Sequence, residues 1–270
     1  MALALTGCGT RFVYNRLDFL THYYLANQVT LDDSQSRALQ SDVYDFFAWH
    51  RRSELPRYAG FLDRAASDAV RPVSVSQFAA GRREVETFMQ TAVSHAAPDA
   101  ARWLNGLRPA QLDELFASFA EKERKARAEA CDGSRTKRRD KATGKFVENA
   151  EQWTGKLSRQ QRQLIVSSLA AMESDDCDEL DVRAQARLEF RALVDRYRNR
   201  PEFADRIAAF LAHPEQRGDA DYRRARAADR ARFLTLLADL NHSLTPAQRE
   251  HTVEKLRSTA SEIRGLAAQT

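Results

Sequence analysis

The chain has 270 residues, 43% of them hydrophobic, which is enough to bury a real core in one large or two modest domains. Its 42 basic and 38 acidic residues leave a net charge of only +4, so the pI near 9.0 gives weak support for a nucleic-acid partner, and none is expected. No apolar run reaches the length of a membrane span, and only ten Gly and seven Pro interrupt a chain rich in Ala, Arg, Leu, Glu and Gln. These proportions predict an all-α protein.

At the start, Leu5-Thr6-Gly7-Cys8 resembles the lipobox of bacterial lipoproteins: small residues after a leucine fit an extended segment into a narrow peptidase site and present a thiol for acylation. Residues 1–8 then read as the tail of a lipoprotein signal. Ala2 to Leu5 are apolar but no Lys or Arg precedes Cys8, so a start further upstream or a trimmed signal is expected. Gly9 follows the anchor where Asp would retain it. By resemblance to sorted lipoproteins this implies the periplasmic face of the outer membrane, with several acyl chains on Cys8 for stable anchoring. Three cysteines are an odd count for an exported protein, and a lipid on Cys8 accounts for one. That leaves Cys131 and Cys177 open either to a disulfide across a helical hairpin or to two separate thiols.

In chain order, Val13, Leu17, Leu20 and Tyr24 predict a first helix over residues 12–27, with Phe12, Phe19 and Tyr23 alongside. So aromatic a helix beside an anchor either docks on the core or rests in the headgroup layer, and docking is the ordinary outcome for a soluble helix. Leu31-Asp32-Asp33-Ser34-Gln35 then reads as a helix start, with a capping side chain and a Gln three residues on. The same grammar recurs at Val73 to Gln77, Leu157 to Gln161 and Leu244 to Gln248, and loosely at Leu107 to Gln111, where Arg108 is a poor cap. Uneven spacing argues against a strict solenoid. Together with apolar stripes further on, the pattern predicts a multi-helix array of about nine amphipathic helices. Residues 132–156, crowded with Arg135, Lys137, Arg138, Arg139, Lys141 and Lys145, read as a basic, solvated linker between a helical half at 9–131 and another at 157–270.

The segment with most chemistry is Trp49-His50-Arg51-Arg52-Ser53-Glu54-Leu55-Pro56. His50 continues the stripe of Val43, Phe46 and Phe47, and Glu54 lies one turn on, so the apolar face ends in a His and carboxylate pair before Pro56 breaks or kinks the helix. Trp49, His50, Arg51, Glu54 and Arg57 are therefore candidates for a polar pocket that grips an anion or a partner's terminus. A satisfied polar cluster that fixes the kink is the structural reading of the same residues. Neither a nucleophile nor metal spacing accompanies the pair, the six histidines are scattered, and no phosphate-cradling glycine loop is present, so neither an enzyme, a cofactor nor a metal is expected.

With the lipobox, the Trp49 to Pro56 run and Trp153-Thr154-Gly155 before Leu157 and Gln161, the chain resembles an uncharacterised family of proteobacterial lipoproteins known only as a domain of unknown function. That resemblance implies a helical lipoprotein and hands over no activity and no catalytic residues. Leu244, Thr245 and Gln248 also resemble the Leu-Thr-x-x-Gln helix openings of Spy and CpxP periplasmic chaperones, from which the other copies depart at the first or second position. The expectation is a non-enzymatic, lipid-anchored periplasmic module that binds envelope proteins or unfolded clients through an apolar face rimmed with Arg. Its alternatives are a subunit tethering an envelope complex and a hydrolase with a site around His50 and Glu54.

Overall fold

The computed structural model describes residues 12–269, so Cys8 and the lipobox lie outside the described residues. Among these residues there is no strand, and ten α-helices follow a short helical stretch at 12–14, which a turn at Asn15 and Arg16 separates from α1, so the helix expected over 12–27 is interrupted: α1 (Leu17–Ala26), α2 (Asp33–Asp68), α3 (Val75–Gly106), α4 (Pro109–Ala130), α5 (Arg135–Thr154), α6 (Arg159–Ala170), α7 (Asp176–Tyr197), α8 (Phe203–Ala212), α9 (Ala220–His242) and α10 (Pro246–Ala267). A 3-10 turn at Pro214–Gln216 precedes α9. The all-α expectation holds, and the helix beyond the expected nine is α5.

Residues 132–156 are thus not a linker. Ser134 caps the first turn of α5 by accepting from the Lys137 amide, and the helix ends at Gly155, whose φ of 75° and ψ of −173° suit only glycine. Its sparse apolar residues, Phe146, Val147 and Ala150, pack on Leu157, Ile165, Leu236 and Leu240. Half of the basic crowd is occupied: Arg138 pairs with Asp175 at 2.7 Å, Arg135 lies beside Asp175 and Asp178, and Arg139 donates to the carbonyls of Ala170 and Met172, while Lys137, Lys141 and Lys145 stay exposed. Composition misled here because short apolar anchors suffice once the cations have acceptors.

The chain also does not divide into two halves at this point. The largest apolar cluster joins Val29, Ala101, Leu104, Leu112 and Phe116 to Val194, Phe203 and Ile207, so both sides of the expected boundary build one core. α10 runs antiparallel along α2: Arg249 reaches the Ala69 carbonyl near one end, and Arg51 reaches the Leu266 carbonyl near the other. Cys131, at the end of α4, and Cys177, in the first turn of α7, are joined by a disulfide with a Cα separation of 5.5 Å. α2 continues through Pro56 rather than breaking. Pro56 and Arg52 are both exposed while Glu54, Leu55 and Ala59 are buried, so the carbonyl that loses its amide partner lies on the solvent side.

The recurrent helix openings have a tertiary role that their local pattern does not show. In each, the Gln side-chain oxygen accepts from the backbone amide of its own cap residue. Four of the five then pair. Gln35 and Gln111 exchange side-chain amide bonds of 3.0 and 2.8 Å, and each also donates across to a backbone carbonyl, Gln35 to Gly106 and Gln111 to Thr30. Gln161 and Gln248 repeat this arrangement with Ser243 and Lys156. Arg108 makes no side-chain cap, and Gln77 bonds only its own cap residue.

Replacing Gln111 or Gln161 by Leu strands backbone partners and should cost about 1 to 3 kcal/mol. Gln77→Ala, which breaks only a local cap, should cost no more than about 1 kcal/mol. Urea unfolding of the three variants checks the order, and equal losses would mean that the pairing adds nothing.

Candidate functional site

The Trp49 to Arg57 segment occupies the middle of α2, where it meets the turn of chain before α1 and the end of α10. His50 is half-buried. Its Nδ1 lies 2.8 Å from the Tyr14 hydroxyl and its Nε2 lies 3.2 Å from the Tyr58 hydroxyl. A neutral imidazole has one donor and one acceptor nitrogen, so one tyrosine donates to it and the other accepts. The ring also lies against Phe46, Phe47 and Tyr14, with centroids about 6 Å apart.

The expected His50 and Glu54 pair does not form a hydrogen bond. Glu54 is 2% exposed and turns to Arg57, whose Nη1 donates to both carboxylate oxygens at 2.8 Å. Burial holds the His50 imidazole below its ordinary 6.5, with the Glu54 charge opposing. Burial likewise pushes the Tyr14 hydroxyl up to about 12 against the pull of Arg51, and burial together with Glu54 raises Tyr58. The trio is therefore neutral at ordinary pH, a set of mutually satisfied groups linking the start of the chain to α2.

The remaining candidates point different ways. Trp49 stacks on His95 of α3, with ring centroids 3.7 Å apart and planes 11° from parallel. Arg51 donates to Asn15 at 3.1 Å and to the Leu266 carbonyl at 3.2 Å, and its guanidinium lies 5.0 Å from the centre of the Tyr14 ring. Arg57 opens, with Arg64 and Arg83, onto a groove of about 580 Å³ between α2 and α3. The segment thus divides into an internal brace, Trp49 to Glu54, and one arginine at a surface groove. Tyr58 was within reach of sequence reasoning, since positions 50, 54 and 58 share a helix face. Tyr14 and His95 carried no local signal, because they arrive from other elements.

A second groove, of about 540 Å³, lies on α3 where it faces the 3-10 turn and α9. Ala79, Met89, Ala212 and Leu234 supply its apolar lining, and Arg83 and Arg230 its basic rim. Met89 is 55% exposed. Neither arginine makes an ion pair among the described residues, whereas Arg82, also at the rim, is held by Glu86. Among the described residues, no group of three or more His, Cys, Asp and Glu side chains is placed to hold a metal ion.

The comparisons with known proteins bear on the same helices. Residues 27–223 match the model of a family of unknown function, DUF6279. The chain belongs to that family. DUF6279 has no stated activity to transfer, and its matched region holds the Trp49 to Arg57 segment, both cysteines of the disulfide, and the α3 side of both grooves. No curated protein and no solved structure matches the chain.

The brace predicts a defined pH response. Between pH 10 and about 12 the unfolded chain releases the Tyr14 proton while the folded chain keeps it, so stability falls as pH rises through that window. Below about 6.5 the unfolded chain takes up a proton that folded His50 resists, so stability falls again as pH drops. Tyr14→Phe should flatten the alkaline limb and His50→Gln the acid limb of urea midpoints against pH. Unchanged limbs in both variants would remove the brace from the account.

Proposed function

We propose that this chain is a lipid-anchored periplasmic protein of the outer membrane that binds extended, apolar segments of envelope proteins, as a chaperone-like module without catalysis. The groove on α3 carries this reading. Its floor of Ala79, Met89, Ala212 and Leu234 offers apolar contact to a side chain, and Met is adaptable enough to receive different ones. Arg83 and Arg230 at its rim favour segments bearing acidic residues. Openness to solvent suits a passing segment better than a small enclosed ligand.

The compartment rests on chemistry of the cysteines. A disulfide between Cys131 and Cys177 is at home in an oxidising space, and it leaves Cys8, in its lipobox-like setting, as the cysteine available for acylation. Expressed behind a complete lipoprotein signal, the protein should take up radiolabelled palmitate in cells, and Cys8→Ser should not. Equal labelling of that variant would discard the anchor.

For the binding role, purified protein without lipid should suppress aggregation of several unrelated unfolded clients. Met89→Asp combined with Arg230→Glu should reduce that protection roughly tenfold or more, since it removes an apolar contact and reverses a rim charge. Circular dichroism should stay unchanged, because Met89 is exposed and Arg230 makes no ion pair. If the wild-type protein leaves every client aggregating as before, the chaperone-like reading is lost.

A further inference from the structure

The first helical stretch carries five of the fourteen exposed large hydrophobic side chains of the described residues. Phe12, Phe19, Leu20, Tyr23 and Tyr24 are 59%, 62%, 45%, 60% and 51% exposed, and no residue of α1 is buried. Phe19, Leu20, Tyr23 and Tyr24 fall at helical spacing on one side of α1, and across the turn before it Arg16 covers the Phe12 ring. The other side is taken: Tyr14 bonds His50, and the His22 ring lies 3.2 Å from the Ser36 carbonyl. The ordinary expectation that this helix hides its aromatics in protein is therefore met on one face only.

We infer that this aromatic stripe seats in the headgroup layer of an anionic phospholipid surface. Tyr and Phe rings favour the boundary between water and acyl chains, where an apolar body meets a polar rim. Two cations flank the stripe, Arg16 at 4.2 Å from the Phe12 ring centre and Lys122 of α4 at 3.9 Å from that of Tyr24. Neither has a carboxylate partner, so both are available to lipid phosphates. Of the neighbouring acids, Glu121 is paired with Arg124, while Glu114 holds Thr30 and Asp18 accepts from the Phe19 amide, both keeping their charge. At ten residues α1 is too short to span a bilayer, and no helix among the described residues is long and apolar enough to do so. The stripe would lie in the surface plane. Cys8 precedes Phe12 by four positions, a reach of about 14 Å at most, so an acylated Cys8 would bring the stripe to the membrane it favours. The biological setting rests on the anchor proposed above. The test does not.

The full chain carrying Cys8→Ser, and hence no lipid, should co-sediment with vesicles of phosphatidylethanolamine and phosphatidylglycerol. Adding Phe19→Ser and Tyr23→Ser should lower that partition roughly tenfold or more with unchanged circular dichroism and Tm, since both rings are exposed. Arg16→Gln and Lys122→Gln should each weaken binding about fivefold on these vesicles and little on neutral phosphatidylcholine. The Met89→Asp, Arg230→Glu protein should bind vesicles normally, which separates this surface from the client groove. Absence of partition, or partition indifferent to Phe19→Ser and Tyr23→Ser, would overturn the inference. So would a dimer in the ultracentrifuge that those substitutions dissolve while vesicles remain unbound, which would make the stripe an interface between copies. Loss of client protection in the same variant without vesicle binding would assign it to clients.

Discussion

Two pairs of glutamines set where the helices of this protein begin relative to one another. Gln111 and Gln161 are each only 3% exposed, and a buried primary amide must find partners for two donors and an acceptor. Each finds them in the same way, by accepting from its own cap amide and donating to the opposite glutamine and to a carbonyl beyond it. Because every bond is directional, the start of α2 is held against the start of α4, and that of α6 against that of α10. The pairs join segments 76 and 87 residues apart. Leu107 and Leu157, which open two of the paired helix starts, are at most 3% exposed, so packing and polar satisfaction agree on one register.

Helix ends follow a complementary rule in which arginines from distant elements serve the last carbonyls. Arg249 does this for α2, Arg198 for α3, Arg139 for α6 and Arg51 for α10. A cation there satisfies acceptors that the helix cannot satisfy itself and meets the negative end of its dipole. Much of the arginine that lifts the pI is therefore spent inside the fold. The cations that remain without ion pairs at the apolar surfaces, Arg16, Lys122, Arg83 and Arg230, are correspondingly more informative about partners.

Helix class, most helix positions and the capping grammar were legible because they depend on residues within one turn of each other. The glutamine pairing was not, although each glutamine was visible, since which start meets which is decided by tertiary packing. α5 was obscured by its charge: Arg138 and Arg139 look like solvent-facing cations until Asp175 and the Ala170 carbonyl come into view. The same limit applies at the candidate site. One helix face predicted His50 beside Glu54, but burial gave Glu54 to the charged Arg57 and left His50 to two neutral hydroxyls. A buried carboxylate gains more from a cation than from an imidazole held neutral, so the division follows from desolvation.

The Trp49 to Glu54 segment acquires a role from this division. Tyr14 on His50 and Arg51 across Asn15 to the end of α10 hold the beginning of the chain at one angle on α2. That angle determines which side of the following helix faces outward. On the side of α1 that meets α2, Leu17 and Leu25 are half-buried and His22 lies against the Ser36 carbonyl, beyond the point where the brace ends. The less aromatic face is used internally and Phe19, Tyr23 and Tyr24 are left in solvent. Polar groups that look like a binding site thus act by orienting an apolar face, which lies a helix away from the residues that specify it.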